Sequence, residues 1–599
     1  MSHQKSAEKQ ETGAAEPRHS PAFSGFSDGP DLHTDLDRVW ETMVASAPVS
    51  LPQAYDFIPP PGAGLSLDPF QERAAHHLEG PIRVLAPAGS GKTRTLTARI
   101  SRMIAGGIPA GKILALAFNT KAAAEMADRL ESLATGGVQT RTFHSLGYEI
   151  TREIGLGRYD PASEARARKL AESEIRARLP MPDHPGEARR LEARALDVLT
   201  RSKSRLTPYT KMAIAHWDTT YELSEAFSAW ISGQRARGLL TFSDMIYFAL
   251  RGLVEDPALR LRWQSRFDFI LVDEFQDLNA AQMLLVRILA LPQDNLFVVG
   301  DDDQLIYAWR DAEERHILKF ERMYPQAESV VLATNYRSGV KIVRHGRWLI
   351  ENNPARVEKD IRPAAASGWG RVDIILEPTA AAQAGAAAAW MQAWMETVDG
   401  LDWSDFGLLF RVNEDAKRLE KALYTAGIPF TTARTAGDAP EDPPPDPAPG
   451  KATLMTIHRS KGKEFPFVVY FNLSGGGGTA LDEADERRVA YVGVTRAGRG
   501  LLVTSGLDRP SPFLAEMALN PNFDDFAEPF LQRLLLGARR RALWEQRDWR
   551  SWLASFWAWP IQEGEAEAAP AVGLTADRDI DLLSTELRFR RILGIEKKP

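Results

Sequence analysis

The sequence predicts an α/β protein with two parallel sheets, of which only the first holds a phosphate loop. Three observations predict it. A short strand-like run, Arg83-Val84-Leu85, leads through Ala86-Pro87-Ala88-Gly89-Ser90-Gly91-Lys92-Thr93 into a helix-compatible stretch reaching Ile100. Two later apolar runs, residues 269–272 and 296–300, end in acidic and amide side chains. From Val330 the strand and helix rhythm begins again, with residues 330–332, 406–410, 454–456, 467–471 and 501–503 reading as strands.

The loop comes first because its chemistry is the most specific. Small residues let the backbone N–H groups of Ala88, Gly89, Ser90, Gly91, Lys92, Thr93 and Arg94 converge at a helix N-terminus, whose partial positive charge favours a polyphosphate. Lys92 then reaches the β- and γ-phosphates, and the Thr93 hydroxyl holds Mg²⁺. Ala86 stands where the pattern G-x-x-x-x-G-K-[ST] has its first glycine, and alanine is small enough to keep the loop tight.

Composition bounds the rest. A chain of 599 residues has room for about four domains. Its net charge of −7 gives no global attraction for nucleic acid, so binding there needs a local basic channel. With no cysteine, disulfides, thiolate zinc sites and cysteine nucleophiles are excluded together. No eighteen-residue apolar run and no apolar signal core are present, so the expectation is a soluble intracellular protein without a membrane partner.

Residues 1–66 are rich in Ser, Glu, Gln, Gly and Pro and are expected to be largely disordered. Gln71 follows; its amide offers adenine both a donor and an acceptor, although a Gln near a helix start is ordinarily just solvated. The run 113–118 ends in Asn119-Thr120-Lys121 and a helix start, which suits ligand binding at the carboxyl edge of a parallel sheet. From 147 to about 232 the pattern is helical, with interspersed Arg and Lys diluted by acids; a solvated face is the reading for most of them.

The run 269–272 ends in Asp273 and Glu274. Asp273 can hold the magnesium shell and Glu274 can orient and deprotonate the attacking water. After the run 296–300, Gln304 is placed to feel the γ-phosphate, with Tyr307 and Trp309 close behind. The second sheet is punctuated by Asn335-Tyr336-Arg337, by residues 456–464 and by residues 491–497. Two arginines presented by one sheet to a nucleotide held by the other make hydrolysis depend on closure between the halves.

In order, FQERAA, APAGSGKT, LALAFNTKAAAEM, TFHSL, LVDEFQD, GDDDQLIYAWRDA, NYRS, TIHRSKGKEF and VAYVGVTRA resemble the motifs of UvrD/Rep/PcrA-type superfamily 1 helicases, from about Leu67 to Leu514. The resemblance implies two RecA-like domains, ATP with Mg²⁺, and 3′ to 5′ stepping along single-stranded DNA or from a duplex with a 3′ single-stranded tail. It implies that Gln71 reads adenine with Tyr336 stacked on it, and that Lys92, Thr93, Asp273, Glu274 and Gln304 form the hydrolytic centre. Arg337 and Arg496 would be the arginine fingers, and Glu464 would hold the ribose. Phe118, Asn119, Phe143, His144, Trp309, Arg310 and His458 would meet the DNA strand.

Departures from the family pattern qualify this. Relatives insert an accessory subdomain, 2B, where this chain has only residues 431–450 with a Pro-rich stretch, and carry a strand-separating hairpin where residues 506–508 make only a turn. Lys463 replaces an apolar residue and is expected to be exposed. The expected organisation is an N-terminal extension (1–66), domain 1A (67–145 and 236–329), a helical 1B (146–235), domain 2A (330–433 and 451–514) interrupted by a linker (434–450), and a Trp/Arg-rich extension (515–599) able to dock on the motor or to bind a protein partner. The expected activity is an ATP-driven single-stranded DNA translocase of the bacterial cytoplasm and nucleoid, with weak or partner-dependent unwinding; the rival is a DNA-bound adaptor using ATP as a switch, or a motor subunit of a larger repair or defence complex.

Overall fold

The run before the phosphate loop becomes strand β1 (Ile82–Leu85), all four residues buried. A computed structural model of the chain describes residues 32–33, 36–45, 66–133, 136–156, 158–307, 311–433, 447–474 and 482–518. These fall into two units: Met1–Ala47 with His144–Arg262, and Pro48–Phe143 with Trp263–Pro599. After β1 the chain forms β2 (Ile113–Ala117) and β3 (Gln139–Thr142). In the other unit it makes one antiparallel hairpin, β4 (Ala213–His216) and β5 (Thr219–Glu222). It then returns with β6 (Phe269–Val272), β7 (Leu296–Gly300) and β8 (Glu328–Val331).

The first sheet runs β3-β2-β6-β7-β1-β8, every pair parallel. Its strands are near-continuous apolar runs because a parallel sheet is covered on both faces. One covering layer packs Leu96, Ile100 and Met103 of the helix Lys92–Ala105 against Val84, Ala115 and Phe297. Two short strands, β9 (Thr334–Asn335) and β10 (Arg362–Pro363), pair with each other. The second sheet comprises β11 (Arg371–Glu377), β12 (Phe406–Phe410), β13 (Phe430–Thr432), β14 (Ala452–Thr456), β15 (Phe465–Leu473) and β16 (Ala497–Gly506). Its order is β11-β16-β15-β12-β14-β13, again all parallel, with an apolar cluster on each face.

One strand expectation is corrected, and one strand was not anticipated. Residues 330–332 do not open the second sheet: β8 pairs with β1, Val330 opposite Val84, at the edge of the first. The second sheet instead begins at β11, whose Arg371 and Asp373 disguise a fully buried strand. Those charges pair with each other, Arg371 Nε lying 2.7 Å from Asp373 Oδ2, and Trp390 Nε1 donates to the same oxygen at 2.7 Å.

In the helical unit, Pro161–Arg178 buries Ser163, Ala167, Ala171 and Ile175, an i, i+4 stripe of mostly small residues. Pro185–Arg205 buries Leu191, Ala195 and Leu199 on the same rule. Arg168–Glu172 and Arg201–Asp197 are exposed i, i+4 pairs, as a solvated face requires. Lys203 breaks that pattern. It is buried, paired with Asp244, donates to Gln234 at 2.8 Å and lies 3.6 Å from the Trp230 ring centre.

Part of the N-terminal extension is ordered. Leu36–Ala45 is a helix that buries Val39 and Met43 at i, i+4 spacing. His33 is buried too, its ring 2.8 Å from the Thr207 carbonyl and 2.9 Å from the Tyr247 hydroxyl. The Pro-rich linker at 434–446, the glycine loop at 475–478 and the extension beyond Ala518 lie outside the described residues.

Candidate nucleotide and nucleic-acid site

The phosphate loop leaves β1 and enters the helix Lys92–Ala105 through two glycines in left-handed conformation, Gly89 at φ 74° and Gly91 at φ 83°. Both are also short of space. A Cβ on Gly89 would sit 2.7 Å from Arg337 Cβ, and one on Gly91 would sit 2.7 Å from Gln71 Nε2. Ala86, at the first-glycine position, is buried and its N–H donates to the Gly300 carbonyl at 2.8 Å, tying the loop to β7. Ser90 Oγ is buried with no hydrogen-bond partner among the described residues.

Around this loop the acids divide their labour. Asp273 follows β6, and its Oδ1 accepts the Glu274 N–H at 2.9 Å. Glu274 holds a left-handed φ of 50°, strain of the kind found at working sites. Lys92 Nζ lies 3.3 Å from Glu274 Oε1, and Gln276 Nε2 donates to Glu274 Oε2 at 2.5 Å. Burial and the neighbouring Glu274 raise Asp273 well above the carboxylate range. Burial would raise Glu274 as well, but Lys92 and Lys461 outweigh it and hold that carboxyl low. Glu274 is therefore ionised at neutral pH, whereas Asp273, like Asp277 and Asp301, is a buried carboxyl raised by its surroundings.

The second sheet supplies the other side of the cleft. Arg496, buried after the helix Glu483–Val494, donates to Gln304 Oε1 at 3.0 Å, and Gln304 Nε2 donates to Asp301 Oδ2 at 2.7 Å. Burial, with Arg337 nearby, pulls the Arg496 guanidinium down to about 9. Arg337 Nε donates to Glu464 Oε2 at 2.6 Å and its NH1 to the Thr495 carbonyl at 3.3 Å. Tyr336 is half exposed; its N–H donates to Gly89 O at 2.8 Å and its hydroxyl to Asp68 at 2.6 Å. Thus Lys92, Glu274, Gln304, Arg337 and Arg496 are brought together with Thr93 and Asp273.

Gln71, expected to read adenine, has its amide engaged within the protein. It is 2 % exposed, its Oε1 accepts the Asp68 N–H at 3.2 Å and its Nε2 donates to Ser90 O at 2.9 Å. Both ends of the amide cap the helix Pro69–His76 and brace the loop. Glu464, expected at the ribose, is exposed and engaged with Arg337. Arg94 donates to Ser66 O at 2.5 Å.

Of the strand-contacting candidates, Phe118 stacks on Tyr307 with centroids 5.5 Å apart and 12° between planes, and the Tyr307 hydroxyl donates to the His458 carbonyl at 3.1 Å. Asn119 Oδ1 accepts Ala122 N–H at 2.8 Å, capping the helix Thr120–Ser132. Phe143 is 1 % exposed, so its ring is a core group and offers no stacking face. His144 lies in the helical unit stacked on Phe242 at 3.8 Å, and burial pulls its pKa down to about 4, leaving it neutral. Trp309 and Arg310 lie outside the described residues.

Three participants carried no assigned role in the sequence. Lys461 Nζ is 2.5 Å from Asp277 Oδ2, 3.0 Å from Gln304 O and 3.8 Å from Glu274 Oε2. Asn335 Nδ2 donates to Ala88 O at 2.8 Å, bracing the loop from the far side. Gln276 accepts the Asp301 N–H at 2.9 Å while donating to Glu274. Their one signal is position: all lie where an apolar run gives way to polar residues.

The comparisons agree with this chemistry. Residues 67–325 match the model of the UvrD/REP helicase N-terminal domain and residues 451–504 that of the UvrD-like helicase C-terminal domain, together about half of the chain. The chain is 31 % identical over 373 residues to the ATP-dependent DNA helicase PcrA of Leuconostoc citreum, covering 60 % of this chain and 49 % of that one. It is 31 % identical over 382 residues to PcrA of Bacillus subtilis, covering 61 % and 50 %. With the ATP-dependent DNA helicase Rep of Escherichia coli it shares 29 % over 381 residues, 61 % and 55 % of the two chains. The chain spans about half the length of the curated relatives it matches. On the matched models and the site that carries their motifs, the chain belongs to the UvrD/REP helicase family.

Proposed function

We propose that this protein is an ATP-driven translocase on single-stranded DNA, moving 3′ to 5′, with the nucleotide held between the two parallel sheets. One observation carries the reading: Glu274, Gln276, Asp301, Gln304 and Arg496 form a single hydrogen-bonded chain running from the first sheet to the second. Glu274 takes the proton of the attacking water. Lys92, Arg337 and Arg496 meet the negative charge that develops on the transferred phosphoryl oxygens, and Gln304 registers its presence to both halves.

Mg²⁺ fits the residues at hand. Asp273 is a buried carboxyl raised by its surroundings, Thr93 opens the helix after Lys92, and the buried Ser90 hydroxyl has no hydrogen-bond partner among the described residues. Held by Thr93 and Asp273, the ion would neutralise phosphate charge.

In this proposal residues 146–235, within the unit that holds His144–Arg262, serve as subdomain 1B, and the two sheets belong to 1A and 2A. The absence of a full 2B is supported by β13 and β14, adjacent parallel strands joined through residues 433–451 alone. A shortened separation hairpin is supported by the short step from β16, ending at Gly506, to the helix Pro512–Ala518. Unwinding by this chain alone is accordingly weak or partner-dependent, while translocation is retained.

The test is ATP hydrolysis by purified protein with and without single-stranded DNA, beside Lys92→Ala. Strong stimulation that the variant abolishes supports the motor. Hydrolysis indifferent to DNA removes it and favours an ATP-switched adaptor.

A further inference from the structure

Three consecutive carboxylates, Asp301, Asp302 and Asp303, follow β7 with ligand oxygens within 4.8 Å of one another, all buried. The cation among them is a lysine. Lys359, 2 % exposed, pairs closely with Asp302, lies 2.9 Å from Asp303 Oδ2 and 3.6 Å from Asp301 Oδ1. Arg356 adds a two-pronged contact to Asp303 at 3.0 and 2.8 Å, and the Val357 N–H donates to Asp302 at 2.8 Å. One short segment, 353–359, thus neutralises the stretch that ends in Gln304.

The same segment is fastened to the helix Glu483–Val494. Asn353 Nδ2 donates to Ala484 O at 3.1 Å, Arg487 NH1 donates to Asn353 Oδ1 at 2.7 Å, and Arg488 NH2 donates to Ala355 O at 3.2 Å. That helix leads directly to Arg496. Gln304 is therefore reached by two linked parts of the second half: Arg496 donates to its carbonyl oxygen, and Lys359 lies 3.6 Å from the Asp301 carboxylate that accepts from its amide.

We propose that Lys359 is a positioning residue for hydrolysis: through Asp301 it fixes the Gln304 amide, so that movement of the segment 353–359 with the helix Glu483–Val494 sets the hydrolytic centre. This rests on the ATPase reading above. A fixed Asp301 also orders the backbone N–H bonded to Gln276, and Gln276 orients Glu274. The effect of Lys359 therefore falls on the chemical step and spares nucleotide affinity, because no group of the phosphate loop is among its partners.

The experiment measures steady-state ATP hydrolysis with an oligo-dT strand, binding of a fluorescent ATP analogue and the melting temperature of the full chain. The variants are Lys359→Met, Lys359→Arg and the charge-balanced pair Asp302→Asn with Lys359→Met. We expect Lys359→Met to lower DNA-stimulated kcat about tenfold or more with KM and analogue affinity within about threefold, and Lys359→Arg to recover a good part of kcat. The pair should regain the wild-type melting temperature and still lack kcat, and it decides the matter should Lys359→Met fail to fold. Recovery of kcat together with melting temperature in the pair would reduce Lys359 to charge compensation and overturn the proposal, as would an unchanged kcat in Lys359→Met. Wild-type hydrolysis without DNA stimulation would instead sink the motor reading, and this inference with it.

Discussion

Arg496 reaches Gln304 at 3.0 Å from the opposite sheet, and the pair is buried. A guanidinium so placed cannot be exchanged for another cation. Arg496→Ala is expected to cut DNA-stimulated kcat by about 10³-fold or more, the range for arginine fingers, and Arg496→Lys should fail to rescue it for want of the planar fork. Steady-state kinetics at saturating ATP and DNA check both.

Gly89 and Gly107 separate conformation from space. Both have positive φ, but a Cβ on Gly107 meets nothing within 4 Å, whereas one on Gly89 meets Arg337 and Asn335. Gly107→Ala should cost only the left-handed penalty of about 1–2 kcal/mol in stability. Gly89→Ala should add a loss of nucleotide affinity of about tenfold or more, read by titration with a fluorescent analogue.

Phe118 and Phe143 should part company on substitution. Phe118, half-buried against Tyr307, is expected to lose about 1–3 kcal/mol of single-stranded DNA affinity as Phe118→Ala, measured by anisotropy. Phe143, in the core, is expected to lose about 3–5 kcal/mol of folding stability as Phe143→Ala, measured by denaturant titration.

Lys203 and Asp244 form a buried pair in the helical unit. Lys203→Met strands a charge and should cost about 3–5 kcal/mol, while Lys203→Met with Asp244→Leu should recover part of it. Thermal melting of the two variants distinguishes them.

His316 makes acid stability measurable. It is buried, its Nδ1 lies 3.2 Å from Leu278 O, and burial, aided by Arg315 and Arg287, pulls its pKa down to about 4. Glu313, 3.5 Å away, faces it. The fold binds fewer protons there than the unfolded chain between pH about 4 and 6.5, so this histidine's contribution rises with pH across that window and is lost as pH falls through it. From pH 6.5 to 5 the loss is about 2 kcal/mol. Asp277, raised to about 6 by burial, has the opposite sign over the overlapping window. Comparing His316→Gln with the wild type isolates the histidine: the variant's melting temperature should fall less steeply on acidification.

Much of the site was legible because its chemistry is local. A loop with two left-handed glycines before Lys92 and Thr93, and a buried strand ending in Asp273 and Glu274, declare their roles through residue type and the switch from apolar to polar. Unbroken apolar runs likewise marked β6, β7, β12 and β15, which are covered on both faces. The N-terminal helix Leu36–Ala45 was missed although Leu36, Val39, Trp40 and Met43 recur at helical spacing, because residues 1–66 were judged by their overall polar composition.

Residue type and chain order thus mark which side chains can bind a phosphate, act as a base and supply cations. Only tertiary structure decided how they are joined. Residues distant in the chain cannot announce their pairing: Lys359 could be read as a solvated lysine until its burial among Asp301, Asp302 and Asp303 was seen. The burial of Phe143 and the partners of the Gln71 amide are likewise set by packing and leave no mark in the chain order. The strand β8 followed the same logic, since an apolar run specifies a buried strand but not which sheet will bury it.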